Sequence, residues 1–224
     1  MFEVVILTVI PELTQKDFDA LLPIVSPDKQ ERIKQFHFFR DARNCLLGEI
    51  LARVEICHFT DLSMKQIDFS VNKYGKPFVI GKPSIQFNIS HAGHYIACAI
   101  SDEPVGVDIE LIKTADMQIA KRFFTADETS YIMDGQQNTR FYEVWTKKES
   151  RIKWEGKGLH KPLPSFSVFK SNCQERIAYH NVFQNNEAIC HVCSTNQKPP
   201  AVRCKFVKQI GQRSHWEKAK QEAA

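Results

Sequence analysis

Residues 105–110 read Val-Gly-Val-Asp-Ile-Glu, and their alternation of apolar and acidic side chains predicts a β-strand with two unlike faces. Because successive side chains of a strand point to opposite sides, Asp108 and Glu110 share one face with Gly106. Neighbouring carboxylates repel each other unless a cation, a proton or water relieves them. Oxygen ligands of this kind suit Mg²⁺, with substrate phosphates completing the coordination. A sheet with one solvated face is the alternative explanation for this pair of acids.

The elements on the two sides of this strand follow a similar order. Before it, the patterns predict a strand at 4–10, a helix that starts at Ser26, a helix at 41–59, and strands at 67–71, 85–90 and 95–100. After it, they predict helices at 119–124, from Thr125 and at 138–154, strands at 166–168, 176–183, 188–194 and 202–207, and a helical tail. This order predicts an α+β chain of two similar halves, or one duplicated core. We expect the halves at 1–105 and 106–211, with a C-terminal tail at 212–224.

The composition limits the class of protein. Of the 224 residues, 43% are hydrophobic and 25% are charged, which excludes a disordered chain, a fibrous repeat and a small disulfide-rich protein. The sequence has no apolar stretch of about 18 residues and no secretory signal pattern, so we expect no membrane partner. Seven cysteines, scattered mainly among apolar residues, predict reduced thiols and a cytoplasmic protein. A net charge of +4 is weak for a nucleic-acid-binding domain but fits a small polyanion or an acidic partner.

A second segment with polar chemistry lies in the predicted helix at 138–154. Residues three and four apart share a helix face. That face combines two apolar groups with an acid between two lysines: Trp145, Lys148, Glu149, Ile152 and Lys153. An ordinary amphipathic helix would also explain it. The turn Gly156-Lys157-Gly158 follows directly, and glycines in such a turn let the backbone approach an anion, although the spacing is not that of a P-loop.

A third segment ends the predicted strand at 85–90. Asn88 and Ser90 lie on the face away from the core, and His91 at the strand end is placed to donate a hydrogen bond to a phosphate oxygen. A histidine with an ordinary polar partner is the more common explanation. Adjacent Ser and His point to opposite sides of a strand, so this pair does not form a Ser-His-Asp triad. Zinc binding at the Cys-His-Val-Cys of 190–193 is not expected, because positions i and i+3 of a strand face opposite ways.

These segments resemble the three signatures of the 4′-phosphopantetheinyl transferase family, in the family's order and at about its separations. They lie at 88–93, at 106–110 and at 145–150 with Lys153. The match is to the longer, two-half kind, similar to the surfactin-synthetase-activating type. Shorter matching pieces, at 26–29, 74–77, 121–124 and 156–159, extend the resemblance over roughly residues 20–170.

The resemblance implies a fold, a reaction and its components. The fold would be a pseudo-dimer of two similar α+β halves with antiparallel sheets and coenzyme A in the cleft between them. The enzyme would move the 4′-phosphopantetheine arm of coenzyme A to a serine of an acyl or peptidyl carrier protein and release 3′,5′-ADP. Mg²⁺, or Mn²⁺ in its place, would be held by Asp108, Glu110 and Glu149. We further expect a monomer, an acidic carrier, and a role in antibiotic, nonribosomal-peptide or fatty-acid biosynthesis.

The resemblance also implies contacts residue by residue. Lys29 and Arg32 match positions that hold the 3′-phosphate of coenzyme A. Further matching coenzyme contacts are Lys76, Pro77, Ser90 and His91. Lys153 matches a residue near the transferring phosphate and is expected to be catalytic together with His91. We hypothesise that Glu149, directly or through a metal-bound water, takes the proton from the carrier serine.

One position departs from the family's pattern. Members often carry arginine two residues before the Leu-Leu-Gly of the second helix, where this chain has Asn44, with Arg43 one residue earlier. A shift of one residue turns a helical side chain by about 100°. Three other functions stay open as alternatives: another Mg²⁺-dependent phosphotransferase or nuclease, a catalytically silent module that binds coenzyme A or a carrier, and a weak nucleic-acid binder.

Overall fold

The computed structural model describes residues 1–10, 13–158, 161–170 and 176–207, which form a mixture of helices and strands. The helices are α1 (Gln15–Leu21), α2 (Pro27–Lys34), α3 (Phe39–Phe59), α4 (Met117–Phe123), α5 (Ala126–Met133) and α6 (Gln137–Glu155). The strands are β1 (Phe2–Thr8), β2 (Phe69–Val71), β3 (Pro77–Val79), β4 (Gln86–Ala92), β5 (Tyr95–Ser101), β6 (Val105–Leu111), β7 (Ala178–Gln184), β8 (Ala188–Ser194) and β9 (Ala201–Phe206). None of the helices within these ranges is long and apolar enough to cross a membrane. The predicted C-terminal helical tail lies outside the described residues.

The described strands form three small sheets. A four-stranded sheet has the order β4-β5-β1-β9, a three-stranded sheet has the order β6-β8-β7, and β2 pairs with β3 in a hairpin. Neighbouring strands are antiparallel, as predicted, except that β9 runs parallel to β1. The α+β class with small antiparallel sheets is therefore confirmed. The division of the chain at residue 105 stays a prediction, since β9 follows that point in sequence but joins the sheet of β1.

A buried carboxylate anchors the parallel strand β9. Glu55 of α3 is fully buried and accepts hydrogen bonds from the side chains of Arg203 and Lys205, the latter at 2.9 Å. Arg203 also pairs with Glu3 of β1 at 2.8 Å. Breaking such a buried pair would leave an uncompensated charge, so these contacts hold β9 on the first sheet.

Helix starts follow the local signals in the sequence. The Ser26 hydroxyl accepts a hydrogen bond from the Lys29 amide at 3.4 Å and so caps α2, whose first residue is a proline. Thr125 and Glu128 form a reciprocal capping box at the start of α5. Both starts are where the sequence predicts them, because a cap is satisfied by residues within one turn.

The predicted strand at 166–168 is wrong. A 3₁₀ turn at Leu163–Ser165 leads into an irregular segment there. Side chains of the helices form hydrogen bonds with its backbone. The Lys148 ammonium donates to the Phe166 carbonyl at 2.6 Å, and the Glu128 carboxylate accepts from the Val168 amide at 2.8 Å. Backbone groups that are satisfied in this way are not available for a sheet.

The four-stranded sheet is covered on both faces. On one face, Leu47 and Leu51 of α3 pack with Val5 and Ile96 in a buried cluster. The other face packs against the three-stranded sheet in a second buried cluster, to which the apolar residues of β6 belong: Val105, Val107 and Ile109. The alternation of residues 105–110 therefore predicted the core-facing side of β6 correctly.

The opposite face of β6 lies under α6, in direct contact with the helix backbone. A Cβ atom on Gly106 would fall well inside van der Waals distance of the Ser150 carbonyl oxygen and the Trp154 amide nitrogen. Only glycine allows this approach. Asp108, two residues further along the same face, is consequently only 4% exposed. A solvated sheet face, the alternative explanation for its two acids, is therefore excluded for Asp108.

Side chains of β4 join the first sheet to β6. The Asn88 side-chain oxygen accepts a hydrogen bond from the Val107 amide at 2.9 Å, and the Ser90 hydroxyl oxygen accepts from the Ile109 amide at 3.4 Å. β4 and β6 are not paired as strands, so these bonds satisfy backbone donors of β6 that face the edge of the other sheet. These hydrogen bonds hold β4 beside β6, on the face of β6 that α6 covers, so β4, β6 and α6 meet there.

We expect Gly106→Ala to lower the free energy of unfolding by about 3 kcal/mol or more, because the added methyl group meets backbone atoms that cannot move independently. Urea denaturation measures the change. Gly135→Ala is the matched control, since its new methyl group meets only the flexible end of the Arg140 side chain. Equal stability of the two variants would contradict the close contact of α6 with β6.

A buried histidine predicts acid sensitivity. His191 of β8 is buried with its Nδ1 atom 2.8 Å from the Thr146 hydroxyl, and burial lowers its pKa to about 3. In the unfolded chain the ring gains its proton near pH 6.5, at about the ordinary pKa. The unfolded state therefore binds more protons as the pH falls from about 6.5 towards 3, and this group removes up to about 1.4 kcal/mol of stability per pH unit.

Urea denaturation of the wild type and of His191→Gln at pH 7, 6 and 5 tests this expectation. The variant should lose less stability on acidification than the wild type, because glutamine does not titrate. His37→Gln, at an exposed position, is the control and should follow the wild type. Parallel curves for all three proteins would show that His191 does not set the acid sensitivity.

Candidate active site

The candidate active site lies where β4, β6 and α6 meet. Lys153 of α6 donates through its ammonium group to Asp108 Oδ1 of β6 at 2.6 Å and to the Ser90 hydroxyl of β4 at 2.9 Å. The Ser90 hydroxyl in turn donates to the same Asp108 oxygen at 3.0 Å. Asp108 Oδ2 is buried and has no hydrogen-bond partner among the described residues. One oxygen of this carboxylate is thus doubly satisfied, while the other is left for a further ligand.

Two further acids lie close enough to interact with Asp108. Glu110 follows it on the same face of β6, and Glu149 lies one turn before Lys153 on α6. Burial and the charge of Asp108 raise the pKa of Glu110 to about 7, and the same two causes raise the pKa of Glu149. Burial also raises the pKa of Asp108 itself, although Lys153 opposes this shift. The site therefore concentrates negative charge that attracts a proton or a cation.

The three acids do not form a complete metal cage by themselves. Among the residues that the structure describes, no three Asp, Glu, His or Cys side chains are already arranged to hold a metal ion. In the same part of the chain, Cys45, Cys98, Cys190 and Cys204 are free thiols. His191, between Cys190 and Cys193, has its Nδ1 atom within hydrogen-bond distance of the Thr146 hydroxyl, and the absence of zinc binding at this segment stays a prediction.

The carboxylates line one cavity, which we call the acidic cavity. Its volume is about 660 Å³, and its polar lining residues are Ser90, His91, Asp108, Glu110, Glu149 and Lys153. The residues predicted to hold a metal and those predicted to be catalytic therefore share one space. Trp145 lies in its wall.

A second cavity, the basic cavity, adjoins the first. It has a volume of about 490 Å³ and is lined by residues of α2, α3 and the β2–β3 hairpin, among them Ser26, Lys29, Arg32, Asn44 and Pro77. Its charged lining is mixed, since Arg53 and the acids Asp28, Glu49 and Asp68 also contribute, and we name it for the two cations of α2. Ile89 and His91 line both cavities, so the two are neighbours along β4. Desolvation and the positive charge of Lys153 lower the pKa of His91, which keeps its ring neutral at pH 7.

A buried acid holds the lysine of the basic cavity. Glu49 of α3 lies 3.4 Å from the Lys29 ammonium and also pairs with Arg53, one turn further on, at 2.9 Å. Sequence reasoning missed this acid, although its spacing of four residues from Arg53 is that of a helical ion pair. Glu49 orients Lys29 towards the cavity and balances part of its charge.

Arg43 and Asn44, the pair at which the chain departs from the family's pattern, have different surroundings in the structure. Asn44 lines the basic cavity, whereas Arg43 is 1% exposed and donates to the Asn44 side-chain oxygen at 3.0 Å. Both side chains also donate to the carbonyl of Gly93. Arg43 therefore supports the cavity wall and does not replace the missing arginine at its surface.

Lys76 differs from the other predicted coenzyme contacts. Its ammonium group donates to the backbone carbonyls of Val105 at 3.0 Å and Trp154 at 3.1 Å. Its neighbours Gly75 and Pro77 do line the basic cavity. The backbone of this turn thus faces the cavity while the lysine side chain is directed to the end of α6.

The predicted helix face at 145–153 is partly wrong. Glu149 and Lys153 face the acidic cavity, but Lys148 is fully buried on another side of α6. Its ammonium group pairs with the buried Glu128 at 2.9 Å and donates to the carbonyl of Leu163 at 2.8 Å. Consecutive residues of a helix point about 100° apart, so the Lys148 side chain contacts Glu128 of α5 while the Glu149 side chain faces the acidic cavity.

Comparison with known proteins agrees with this geometry. The family model "4′-phosphopantetheinyl transferase, N-terminal" matches residues 12–103, and "4′-phosphopantetheinyl transferase superfamily" matches residues 104–216. The chain is 43% identical to the 4′-phosphopantetheinyl transferase ffp of Bacillus subtilis, over 70% of this chain and 71% of the relative. It is 42% identical to the transferase Sfp of the same species over the same shares.

A third relative extends the similarity. The 4′-phosphopantetheinyl transferase gsp of Aneurinibacillus migulanus is 39% identical over 184 residues, which is 81% of this chain and 77% of that protein. Models of both parts of the family thus match residues 12–103 and 104–216, and three bacterial enzymes are similar to the chain over 70–81% of its length. The resemblance of the signature segments is therefore confirmed, and the chain belongs to the 4′-phosphopantetheinyl transferases, a family of enzymes that transfer the phosphopantetheine arm of coenzyme A.

Proposed function

We propose that each of the two cavities binds one part of coenzyme A for the family's reaction. In that reaction, 4′-phosphopantetheine moves from coenzyme A to a serine of an acyl or peptidyl carrier protein, and 3′,5′-ADP leaves. The observation that carries this proposal is the adjacency of two cavities that share His91: one includes the two cations of α2, Lys29 and Arg32, and the other includes three carboxylates. The nucleotide end of coenzyme A, with its 3′-phosphate, would lie in the basic cavity. The pyrophosphate would pass His91 and reach the acidic cavity.

The basic cavity suits a phosphate group. Lys29 and Arg32 lie close together on α2, and both line the cavity. Arginine presents a planar set of donors to phosphate oxygens, and lysine adds a mobile point charge. Pro77 would form an apolar part of the wall, and neutral His91 would donate a hydrogen bond to the pyrophosphate.

The acidic cavity fits a magnesium ion by the chemistry of its donors. Asp108, Glu110 and Glu149 offer carboxylate oxygens, and one of these, Asp108 Oδ2, is buried without a partner among the described residues. Mg²⁺ is commonly held by one or two carboxylates together with substrate phosphates, and Mn²⁺ accepts similar ligands. When bound, the ion would neutralise charge on the pyrophosphate oxygens.

Two side chains, Glu149 and Lys153, would carry out the proton transfer and stabilise the charge on the phosphate. Glu149 would accept the proton of the carrier serine, whose oxygen then forms a bond to the phosphorus that carries the pantetheine arm. The bond from that phosphorus to the oxygen of 3′,5′-ADP breaks. Glu149 would act as this base directly or through a metal-bound water, and the Lys153 ammonium would stabilise the charge on the transferring phosphate.

The setting and the partner of the enzyme are also proposals. The excess of 30 basic over 26 acidic side chains supports an acidic carrier protein as partner, with no role for nucleic acid. Both cavities come from one chain, which supports a monomer. The free thiols of Cys45, Cys98, Cys190 and Cys204 support a reducing compartment such as the cytoplasm. Carriers of antibiotic, nonribosomal-peptide or fatty-acid synthesis are the candidates.

We expect wild-type protein to add the phosphopantetheine arm to an apo carrier protein in the presence of coenzyme A and Mg²⁺, and Asp108→Ala to abolish this transfer. The mass gain of the carrier, measured by mass spectrometry, is the readout. Removal of divalent cations with EDTA should stop the wild-type reaction. Asp61→Ala, at an exposed acid, is the control and should retain activity. Transfer that persists in EDTA would contradict the metal assignment, and coenzyme A binding without transfer would favour a silent module.

Glu149→Gln tests the assignment of the base. The substitution keeps the shape of the side chain but removes its proton affinity, so we expect the turnover number to fall on the order of 10²–10⁴-fold with Mg²⁺ saturating. Glu143→Gln, earlier on the same helix and paired with Lys147 and Tyr131, is the matched control. Wild-type turnover in Glu149→Gln under these conditions would show that another group takes the serine proton.

A further inference from the structure

The β2–β3 hairpin is fastened to the C-terminal end of α6 by two side chains. Lys76 donates to the carbonyls of Val105 at 3.0 Å and Trp154 at 3.1 Å, and the Asn72 side-chain amide donates to the carbonyl of Gly156 at 2.9 Å. We call these three hydrogen bonds the latch. Each of them joins the hairpin to β6 or α6, elements that lie far away in sequence.

The acceptors of the latch are groups that need partners. The last carbonyls of a helix have no donor within the helix and carry the negative end of its dipole. Trp154 lies in the last turn of α6, and Gly156 ends the helix in the left-handed conformation with φ 65°. A lysine and an amide from the hairpin therefore cap α6 from outside.

The hairpin is built to present both donors. The Asn72 side-chain oxygen accepts from the amides of Tyr74 at 2.9 Å and Lys76 at 3.0 Å, so the same residue shapes the turn and reaches α6. Gly75, with φ 87°, allows the tight turn between them. The contact is also closely packed, since a Cβ atom on Gly156 would lie 2.8 Å from Lys76 Cδ.

The latch connects the walls of the two cavities. Ser70, Val71, Gly75 and Pro77 of the hairpin region line the basic cavity, while α6 carries Glu149 and Lys153 of the acidic cavity. The hairpin is a separate two-stranded sheet, so strand pairing does not hold it to the other two sheets. Phe69 and Val79 pack the hairpin into the core of the first sheet, and the latch adds the hydrogen bonds that join it to the end of α6.

We propose that Asn72 and Lys76 are positioning residues, which hold the wall of the basic cavity against α6 so that the two cavities are aligned before coenzyme A binds. The role of Lys76 thus differs from the direct coenzyme contact that the family resemblance implies. Burial lowers the pKa of Lys76 to about 8, as expected for a desolvated ammonium group that donates to the carbonyls of Val105 and Trp154. The kinetic part of the test rests on the proposed function; the structural part does not.

Hydrogen exchange of the protein without coenzyme A tests the latch directly. Lys76→Met removes the ammonium group but keeps most of the stem that packs on Gly156. Asn72→Asp keeps the oxygens that shape the turn and removes the donor to the Gly156 carbonyl. Both variants should exchange faster than wild type at 69–79 and 152–158, with little change elsewhere. Lys73→Met is the matched control on the same turn: its exposed ammonium lies over the Tyr74 ring, and exchange should not change.

Steady-state kinetics give the functional readout. Lys76→Met and Asn72→Asp should each raise the KM for coenzyme A and lower kcat, with kcat/KM falling on the order of tenfold or more, because both cavity walls shift. The double variant should lose much less than the product of the two single losses, because either substitution already opens the latch. Lys73→Met should match wild type in both constants.

The outcomes separate the possible roles of Lys76. A higher KM for coenzyme A in Lys76→Met with unchanged exchange in the free protein, and wild-type behaviour of Asn72→Asp, would overturn the proposal in favour of a direct contact. Unchanged exchange and kinetics in both variants would also overturn it. If wild-type protein transferred nothing to a carrier, the proposed function would fail, while faster exchange in the two variants would still establish the latch.

Discussion

The close approach of α6 to β6 at Gly106 is the constraint on which the rest of the site depends. No side chain separates the helix backbone from the strand there, so α6 lies directly over the acidic face of β6. Lys153 can then reach Asp108 at 2.6 Å, and Glu149 comes near the same carboxylate. The helix also shields these acids from water, which is the first cause of their raised pKa values.

This arrangement places strong charges in a partly dry space, where they interact more strongly than in water but cost more to bury. The structure meets part of that cost with the Lys153 ammonium and the Ser90 hydroxyl, and leaves one oxygen of Asp108 without a partner within the described residues. Ser90 has two functions, because it also accepts a hydrogen bond from the Ile109 amide at the seam of the two sheets. Folding and site assembly therefore use the same contacts.

Lysines of the same chemistry have different tasks in this protein. Lys153 faces the acidic cavity, Lys148 forms a buried pair with Glu128 behind it, and Lys76 caps the far end of the same helix. The contacts of Lys148 and Lys76 fix the rotation and the position of α6, so that Glu149 and Lys153 point into one cavity. A long side chain with three donors suits either task, and its surroundings decide which one it performs.

The sequence by itself determined the local elements and the identity of the chemical groups. The cap of α2 at Ser26, the two faces of β6 and the acids Asp108, Glu110 and Glu149 follow from patterns within a few residues, because backbone geometry sets those periods. Only the tertiary structure decided the parallel pairing of β9 with β1, the burial of Lys148 and the direction of Lys76. Each of these depends on partners from distant parts of the chain, such as Glu55 for β9, and a flexible side chain or an edge strand takes whichever partner the packing brings near.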